Sequence, residues 1–381
     1  MKRTNPIIIT LGLFLFAQVV LAQWMPAKRL TWNAGTSSSP AIAVDPSDNL
    51  HVVWSDDTPG NYEINYKKST NGGSTWMPSQ RLTWNSVDSA YPSIAVDSFG
   101  SLHVVWSDKM PGNYEIYYKK STNGGSTWTA NKRLTSNSGT SYSQAIAVDP
   151  SDNLHVVWSD DTSGNYEIYY KKSTNGGSMW TANKRLTWTS GASCSPAIGV
   201  DSAGNLHMVL FDYTPGTAEI YYRQSTDEGS TWMPRQRLTW NSVDSAYPSI
   251  AVDSSDSLHV VWFENLEIYY KKSTDGGSTW MATKWITRAF SYSFRPTIAA
   301  DSAGNAHVAW QNGDSPTNFE IYYRKSTNGG STWLTNQRLS WNSGGSKDPL
   351  IAVDSSSNLH VVWGDDTPGN YEIYYKKYVK E

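Results

Sequence analysis

Five residues with charged or reactive side chains interrupt an otherwise regular, repeated sequence. They bring carboxylate, guanidinium and phenol groups into one region of the chain: Glu264, Arg288, Tyr292, Arg295 and Asp314. A guanidinium group binds a planar carboxylate through two parallel hydrogen bonds, so the two arginines indicate a site for an anionic ligand. Such a site forms only if the surrounding elements bring these side chains to one surface.

The interruption is visible when two equal-length copies of the repeat are compared. Residues 232–253 read WMPRQRLTWNSVDSAYPSIAVD, whereas residues 280–301 read WMATKWITRAFSYSFRPTIAAD. In the second copy Trp285 stands at an arginine position and Arg288 at a tryptophan position. The segment before this copy shortens to WFENLEIYY, and the segment after it lengthens to WQNGDSPTNFEIYY.

Tryptophans in polar loops are a second candidate for chemistry. Five of them follow the motif RLT or RLS: Trp32, Trp84, Trp188, Trp240 and Trp341. An indole ring stacks on pyranose C–H groups while nearby carboxylates and amides bind the hydroxyl groups, so this pattern is typical of sugar binding. The alternative interpretation is that these tryptophans pack between the repeats.

Histidine occurs once in each repeat, which raises the question of a metal site. The positions are spaced by 52 residues four times and then by 48 and 53: His51, His103, His155, His207, His259, His307 and His360. No second ligand follows at a short fixed spacing, so we predict hydrogen-bonded strand residues rather than metal ligands. Nothing in the sequence indicates a cofactor.

Carboxylates also recur at fixed positions. An aspartate lies six residues before each histidine: Asp45, Asp97, Asp149, Asp201, Asp253, Asp301 and Asp354. These aspartates open turns, which favours Asx-turn hydrogen bonding over a cation-binding ring. A glutamate recurs in YEIYY or a close variant, as at Glu63, and an arginine recurs in RL, as at Arg81. We expect each glutamate to satisfy a strand or to pair with an arginine of the next repeat.

The elements that carry these residues are short β-strands. Each repeat of about 50 residues contains four segments of alternating β-branched and aromatic residues, separated by Gly, Pro, Asn, Asp and Ser clusters. No segment after residue 22 sustains helical periodicity. Seven repeats of four strands predict an all-β fold, a seven-bladed β-propeller of four-stranded antiparallel blades spanning residues 23–381.

The two ends of the chain predict closure of a ring. The last repeat stops after its third strand, at YEIYYKKYVKE, and lacks a fourth. The segment QWMPAKRLTW, residues 23–32, matches the fourth strand of internal repeats. We therefore expect the N-terminal strand to complete the seventh blade and to remove the exposed edges of an open array.

An eight-residue turn recurs between the third and fourth strands. STNGGSTW ends at Trp76, Trp128 and Trp333, and edited copies end at Trp180, Trp232 and Trp280. Asn-Gly and Asp-Gly supply the positive φ angles of tight turns, and the Asn or Asp side chain accepts nearby backbone N–H groups. Because either Asn or Asp occupies the third position of this turn, we predict that the side chain makes a structural hydrogen bond and does not act as an acid.

This turn resembles the Asp-box, S-x-D-x-G-x-T-W, of sialidase-like propellers built from bacterial neuraminidase repeats. STDEGSTW (225–232) and STDGGSTW (273–280) match that pattern fully. The resemblance implies a propeller whose Asp-boxes lie away from the active site. In sialidases, three arginines bind a carboxylate, a Tyr–Glu pair is the nucleophile and an Asp is the acid/base, roles that the resemblance implies for Arg288, Arg295, Tyr292, Glu264 and Asp314. A third arginine and an Arg-Ile-Pro motif do not stand out in this sequence, and the family's catalytic propellers have six blades.

The composition of the chain indicates its cellular location and excludes some classes of partner. Residues 1–22 combine Lys2 and Arg3 with an apolar run, which predicts a cleaved signal peptide, secretion and no membrane insertion after cleavage. A net charge of −3 without basic runs argues against nucleic acid as a partner. The single cysteine, Cys194, cannot form an intramolecular disulfide. We expect a monomer in the periplasm or outside the cell.

Three functions remain open from the sequence. The first is a non-catalytic scaffold that binds an extracellular glycan or a protein partner through its loops. The second is a sialidase-like exo-glycoside hydrolase using the five interrupting residues. The third is a rigid spacer or surface-assembly component.

Overall fold

The chain forms a ring of seven antiparallel sheets around a central axis. The computed structural model describes residues 23–110, 112–288, 292–315 and 318–380, and in these ranges it contains 29 strands and no helix. These ranges accordingly hold no helix of the length and apolarity that crossing a membrane requires. The predicted signal peptide, residues 1–22, lies outside the described residues.

Each sheet is one blade, and the first strand of each repeat lies innermost. Consecutive innermost strands contact one another in a closed cycle. The innermost strands are β3 (Ser37–Val44), β7 (Ser89–Val96), β11 (Ser141–Val148), β15 (Ser193–Val200), β19 (Ser245–Val252), β23 (Tyr292–Ala300) and β27 (Ser346–Val353). The second strands are β4 (Leu50–Asp56), β8 (Leu102–Asp108), β12 (Leu154–Asp160), β16 (Leu206–Asp212), β20 (Leu258–Glu264), β24 (Ala306–Ser315) and β28 (Leu359–Asp365).

The third and fourth strands continue each blade outward. The third strands are β5 (Glu63–Ser69), β9 (Glu115–Ser121), β13 (Glu167–Ser173), β17 (Glu219–Ser225), β21 (Glu267–Ser273), β25 (Asn318–Ser326) and β29 (Glu372–Val379). The short outermost strands are β1 (Gln23–Trp24), β2 (Lys28–Arg29), β6 (Gln80–Arg81), β10 (Lys132–Arg133), β14 (Lys184–Arg185), β18 (Gln236–Arg237), β22 (Lys284–Trp285) and β26 (Gln337–Arg338). We number the blades 1 to 7 from β3 to β29.

Blade 7 closes the ring as the sequence predicted. Both β1 and β2 pair antiparallel with β29, with Gln23 opposite Val379 and Lys28 opposite Tyr375. Trp24 packs edge-on against Tyr323 of blade 6, with ring centroids 5.0 Å apart. The two ends of the chain are therefore joined within one sheet.

The hydrophobic core lies between consecutive blades. Between blades 1 and 2, Ile64 and Leu82 pack with Val104 and Trp106, and all four side chains are buried. Each fully buried aliphatic side chain of this kind contributes about 1.5–3 kcal/mol. Because both faces of a blade are covered by its neighbours, the second strands are buried along their whole length in most blades.

The repeated histidines are confirmed as buried structural residues. His103 Nε2 lies 3.1 Å from Asp97 Oδ2, and His103 Nδ1 lies 2.8 Å from the Tyr118 hydroxyl. Burial lowers the pKa of His103 to about 4, so the ring is neutral near pH 7, donates from Nε2 and accepts at Nδ1. Asp97 also accepts the backbone N–H groups of Phe99 and Ser101, which confirms the Asx turn.

In blades 1 to 6 the eight-residue turn packs against the preceding blade. In blade 2, Asn123 accepts the Thr127 N–H at 2.9 Å. The Trp128 ring then packs edge-on against Tyr66 of blade 1, with centroids 5.2 Å apart. In blade 4, Asp227 accepts the Thr231 N–H at 2.7 Å in the same way. The structural interpretation of the turn is confirmed for both Asn and Asp.

The repeated Glu–Arg pairs form within one blade. Arg81 Nη2 donates to Glu63 Oε1 at 2.7 Å, and Glu63 is fully buried. The expected pairing with an arginine of the next blade is wrong. Arg81 lies opposite Asn65 in the β5–β6 ladder, which places its side chain diagonally beside Glu63 on the same sheet.

Candidate functional site

Two sets of connections share one face of the ring, which we call the loop face. It consists of the loops from each fourth strand to the next blade and the loops from each second to each third strand. Around blade 1 these two loops meet, since the Asp57 N–H donates to the Thr36 carbonyl at 3.1 Å. The face assignment made from the sequence is therefore correct for this blade.

The five loop tryptophans project from this face into solvent. Their exposed fractions lie between 64% and 68%, so they do not pack between blades: Trp32, Trp84, Trp188, Trp240 and Trp341. An arginine of the same blade lies 5.8 Å from the ring centroid of Trp84, and Lys119 of the next blade lies 5.6 Å from it. Blade 2 carries Ser136 at the equivalent position.

Hydrogen bonds on the residue after each tryptophan fix the loop. The Asn85 N–H donates to Glu63 Oε1 at 2.6 Å, and the Asn85 side-chain amide donates to Asp108 Oδ2 at 2.5 Å. Asp108 also accepts the Trp106 indole N–H at 3.0 Å. Because Asn85 is tied to two blades at once, Trp84 is held with its ring outward on a rigid loop.

A cavity of about 370 Å³ lies on the axis and is lined by residues of all seven blades. Each innermost strand has a register shift there, and the bulged residue has a φ angle between 48° and 56°. These residues are Ser39, Tyr91, Ser143, Ser195, Tyr247, Arg295 and Asp348. The sequence signal for them is the proline that follows in six of the seven copies, because proline within a strand marks a bulge or an edge.

The axial cavity contains one of the sequence-predicted site residues, Arg295. Its guanidinium is paired with Asp348, with Nη1 2.7 Å from Oδ1, and lies 5.5 Å from the ring centroid of Tyr247. The Arg295 side chain remains 53% exposed. Tyr91 and Tyr247 are also exposed in this cavity, although their positions in the repeat did not mark them as site residues.

Glu264 occupies a structural position. It replaces the aspartate that ends the second strand in blades 1 to 4 and 7, and it accepts the Trp262 indole N–H at 2.9 Å and the Ser245 hydroxyl at 3.1 Å. Burial raises the pKa of Glu264, partly offset by these hydrogen bonds. The carboxyl group therefore takes the structural role that the aspartate has in those blades.

The remaining predicted site residues lie elsewhere. Tyr292 begins β23 opposite Gly313, the neighbour of the exposed Asp314, so Tyr292 and Asp314 share one end of blade 6. Arg288 lines a separate cleft of about 760 Å³ between blades 5 and 6, with its guanidinium 4.4 Å from the Trp285 ring centroid. Arg288 and Arg295 thus line two different cavities.

The residues that the structure describes include no group of three or more His, Cys, Asp or Glu side chains positioned to hold a metal ion. The axial cavity and the loop tryptophans instead present indole, phenol and guanidinium groups. These groups suit stacking and hydrogen bonding to a ligand surface. The proposed catalytic roles of Arg288, Arg295, Tyr292, Glu264 and Asp314 stay predictions.

Part of the chain is similar in sequence to a known protein family. A family model described as a BNR repeat-containing family member matches residues 33–191. No curated protein sequence matches the chain.

Several solved structures share the fold. A protein of unknown function from Dyadobacter fermentans superposes with a TM-score of 0.60 at 12% identity, covering 94% of this chain and 99% of that chain. The NanB sialidase from Streptococcus pneumoniae gives 0.54 at 13% identity, covering 92% and 70%. An ulvan lyase of a polysaccharide lyase family gives 0.63 at 9% identity, covering 91% and 95%. The chain therefore has the β-propeller fold of these structures, and residues 33–191 match a BNR repeat-containing family.

Proposed function

We propose that this propeller is a secreted, non-catalytic binding protein whose loop face recognises an extracellular glycan. The observation that carries the proposal is the set of five tryptophans at equivalent loop positions, each about two-thirds exposed. A buried structural role does not explain such exposure in large aromatic side chains, whereas stacking against sugar rings does. Sialidases and a polysaccharide lyase among the similar structures are precedents for sugar ligands on this fold.

Repetition gives the proposed binding its strength. The residue after each of the five tryptophans donates its backbone N–H to a glutamate of the same blade, as Asn85 does to Glu63, so each loop is held in place before the ligand arrives. Several weak sites on one rigid ring raise the apparent affinity for a multivalent glycan surface by about 10²–10⁴-fold. A protein partner on the same face is the alternative ligand.

Hydrolysis is the second candidate function, and the axial cavity favours it. Arg295 is exposed there beside Tyr247, which resembles the chemistry needed to hold an acidic sugar. We rank it below binding because Asp348 already pairs with Arg295 and because Glu264 is committed to Trp262 and Ser245.

The test is glycan-array binding by the full chain, compared with Trp84→Ala combined with Trp240→Ala. We expect the double variant to lose about tenfold or more in apparent affinity for the glycan that the parent chain binds. Phe99→Ala is the matched control, because Phe99 is an 85% exposed aromatic residue in a turn on the opposite face. Equal losses in the control and the double variant would reject the loop-face site.

A gain-of-function variant sharpens the test. Ser136→Trp installs an indole beside Arg133 in blade 2, at the position where other blades carry tryptophan, and should tighten binding to the same surface. Turnover of a fluorogenic sialoside by the parent chain, lost in Arg295→Ala, would instead support the hydrolase.

A further inference from the structure

The cleft between blades 5 and 6 differs chemically from the loop tryptophan sites. Its lining includes Lys284, Trp285, Arg288, Arg324 and Trp333, within about 760 Å³. None of the lining residues in the described part of the chain is Asp or Glu. The cleft therefore concentrates positive charge beside two indole rings.

Arg288 is the accessible cation of this cleft. It is exposed and lies over the Trp285 ring at 4.4 Å, and no carboxylate pairs with it within the described residues. In blade 1 the equivalent position is Trp84, and the blade's arginine, Arg81, is neutralised by Glu63. The exchange of Arg and Trp thus moves a guanidinium from an ion pair with a buried glutamate to an open surface.

Arg324 adds a second, fixed cation. Its Nε and Nη groups donate to the backbone carbonyls of Ile286, Trp333 and Leu334, so its charge is hydrogen-bonded without being neutralised. Burial and the nearby charge of Arg288 lower the pKa of Arg324. An anion bound between the two guanidinium groups would relieve their repulsion.

Lys284 completes the positive side of the cleft. Its ammonium group donates to the carbonyls of Gly330 and Ser331 in blade 6, at 2.8 and 2.7 Å. These bonds hold β22 against the next blade without adding a negative side chain. Thr283, Thr335 and Asn336 supply hydroxyl and amide groups on the same wall.

We propose that the cleft between blades 5 and 6 binds the carboxylate or sulfate group of an acidic polysaccharide. The guanidinium of Arg288 binds the anionic group, and the exposed indole of Trp285 contacts the sugar ring. This inference rests on the proposed glycan binding, for which it names the ligand class, but it uses residues other than the five loop tryptophans. A sugar fits better than nucleic acid because the whole chain is acidic, with a net charge of −3.

The test is calorimetric titration of the full chain with three oligosaccharides. The first contains uronate groups, the second is the same oligosaccharide with its carboxylates reduced to alcohols, and the third is a sulfated neutral oligosaccharide. Arg288→Gln should weaken binding of the uronate or the sulfated ligand by about tenfold while leaving the reduced ligand unchanged. The anionic ligand whose binding depends on Arg288 identifies the recognised group.

Two further variants control the experiment. Lys120→Gln removes the same charge from the end of β9 next to the eight-residue turn, on the face opposite the loop face, and should leave all three affinities unchanged. Trp285→Arg combined with Arg288→Trp restores the arrangement of the other blades, and should lose the preference for anionic ligands while gaining affinity for the reduced ligand.

The proposal is overturned if the parent chain binds charged and reduced ligands equally, or if Lys120→Gln weakens binding as much as Arg288→Gln. Failure of the loop tryptophan sites has a different signature. In that case Trp84→Ala with Trp240→Ala would leave binding unchanged, while binding that depends on Arg288 would persist and support the cleft.

Discussion

The seam between blades 1 and 2 and the cleft between blades 5 and 6 are built from matching positions of the repeat. They differ in whether the arginine is paired with a carboxylate or exposed to solvent. In the first, Arg81 pairs with the buried Glu63 while Trp84 projects outward. In the second, Trp285 takes the arginine position and Arg288 the tryptophan position, and the two side chains still stack. The aromatic–cation contact is conserved through the exchange, whereas the accessible group changes from indole to guanidinium.

This difference shows how a repeat protein can acquire a distinct site without a new element. Every blade keeps its four-stranded pattern, and blades 1 to 6 keep the eight-residue turn, because these features hold the ring together. Variation is tolerated where a side chain faces solvent, and a two-residue exchange is enough to change the chemistry of one cleft. The comparison predicts that substitutions in the seams destabilise the fold, whereas substitutions in the divergent cleft have little effect on stability.

Acid should produce the largest effect, because it acts on the seams of several blades together. Burial lowers the pKa values of His51 and His103 to about 4, whereas an unfolded histidine titrates near pH 6.5. The unfolded chain therefore takes up protons first, and stability present above about pH 6.5 is lost as the pH falls towards about pH 4. Each histidine contributes a loss of about 1.4 kcal/mol per pH unit within this window.

Thermal unfolding followed by circular dichroism at about pH 7 and about pH 4.5 measures this loss. Histidine in either state is already neutral between about pH 7.5 and pH 8.5, so the melting temperatures there provide the control. An unchanged melting temperature at the acidic point would show that the histidines are not buried in neutral form.

Position-matched substitutions compare the two regions directly. Arg81→Ala leaves the buried Glu63 without its cation and should destabilise the fold by about 3 kcal/mol. Trp285→Ala, at the equivalent position of blade 5, removes a side chain that is 51% exposed and should cost less than about 1 kcal/mol. Urea unfolding of the two variants measures both values, and equal losses would remove the distinction between seam and cleft.

Glycine substitutions should give the smallest of the three effects and test the contact between turn and blade. A Cβ atom at Gly125 would lie 2.0 Å from the Tyr66 hydroxyl oxygen, and Gly125 has a φ of +87°. Gly125→Ala should therefore cost about 2–3 kcal/mol, from steric overlap together with backbone strain. Gly60 has a φ of +104° with nothing within 4 Å, so Gly60→Ala isolates the strain, at about 1 kcal/mol. If urea unfolding gives equal losses of stability for Gly125→Ala and Gly60→Ala, the turn is not in close contact with Tyr66.

The axial site was harder to predict than the ring. Arg288 and Arg295 are seven residues apart, and both were predicted to belong to one candidate site. The chain between them passes from the outermost strand of blade 5, β22, to the innermost strand of blade 6, β23, so the two guanidinium groups reach different cavities. Their short separation along the chain did not indicate that they lie at different distances from the axis.

Bulges decide which side chains reach the axis. Tyr247, Arg295 and Asp348 turn into the cavity because each sits at a register shift with a positive φ angle. An alternating pattern assigns residues to the two faces of a strand but does not locate the position where the alternation breaks. The proline after these residues was the available signal.

The sequence by itself determined the number of blades, the closure of the ring through residues 23–32 and the structural role of the repeated turns and histidines. The number of blades and the closure follow from the period and from the matching segments at the two ends of the chain, and the roles of the turns and histidines follow from hydrogen bonds between residues close in the chain. Only the tertiary structure decided that Arg81 pairs within its own blade, that Arg295 meets Asp348, and that Arg288 stands in an open cleft. Such encounters depend on strand register, on bulges and on the path between blades, and each of these is set by the packing of the whole ring.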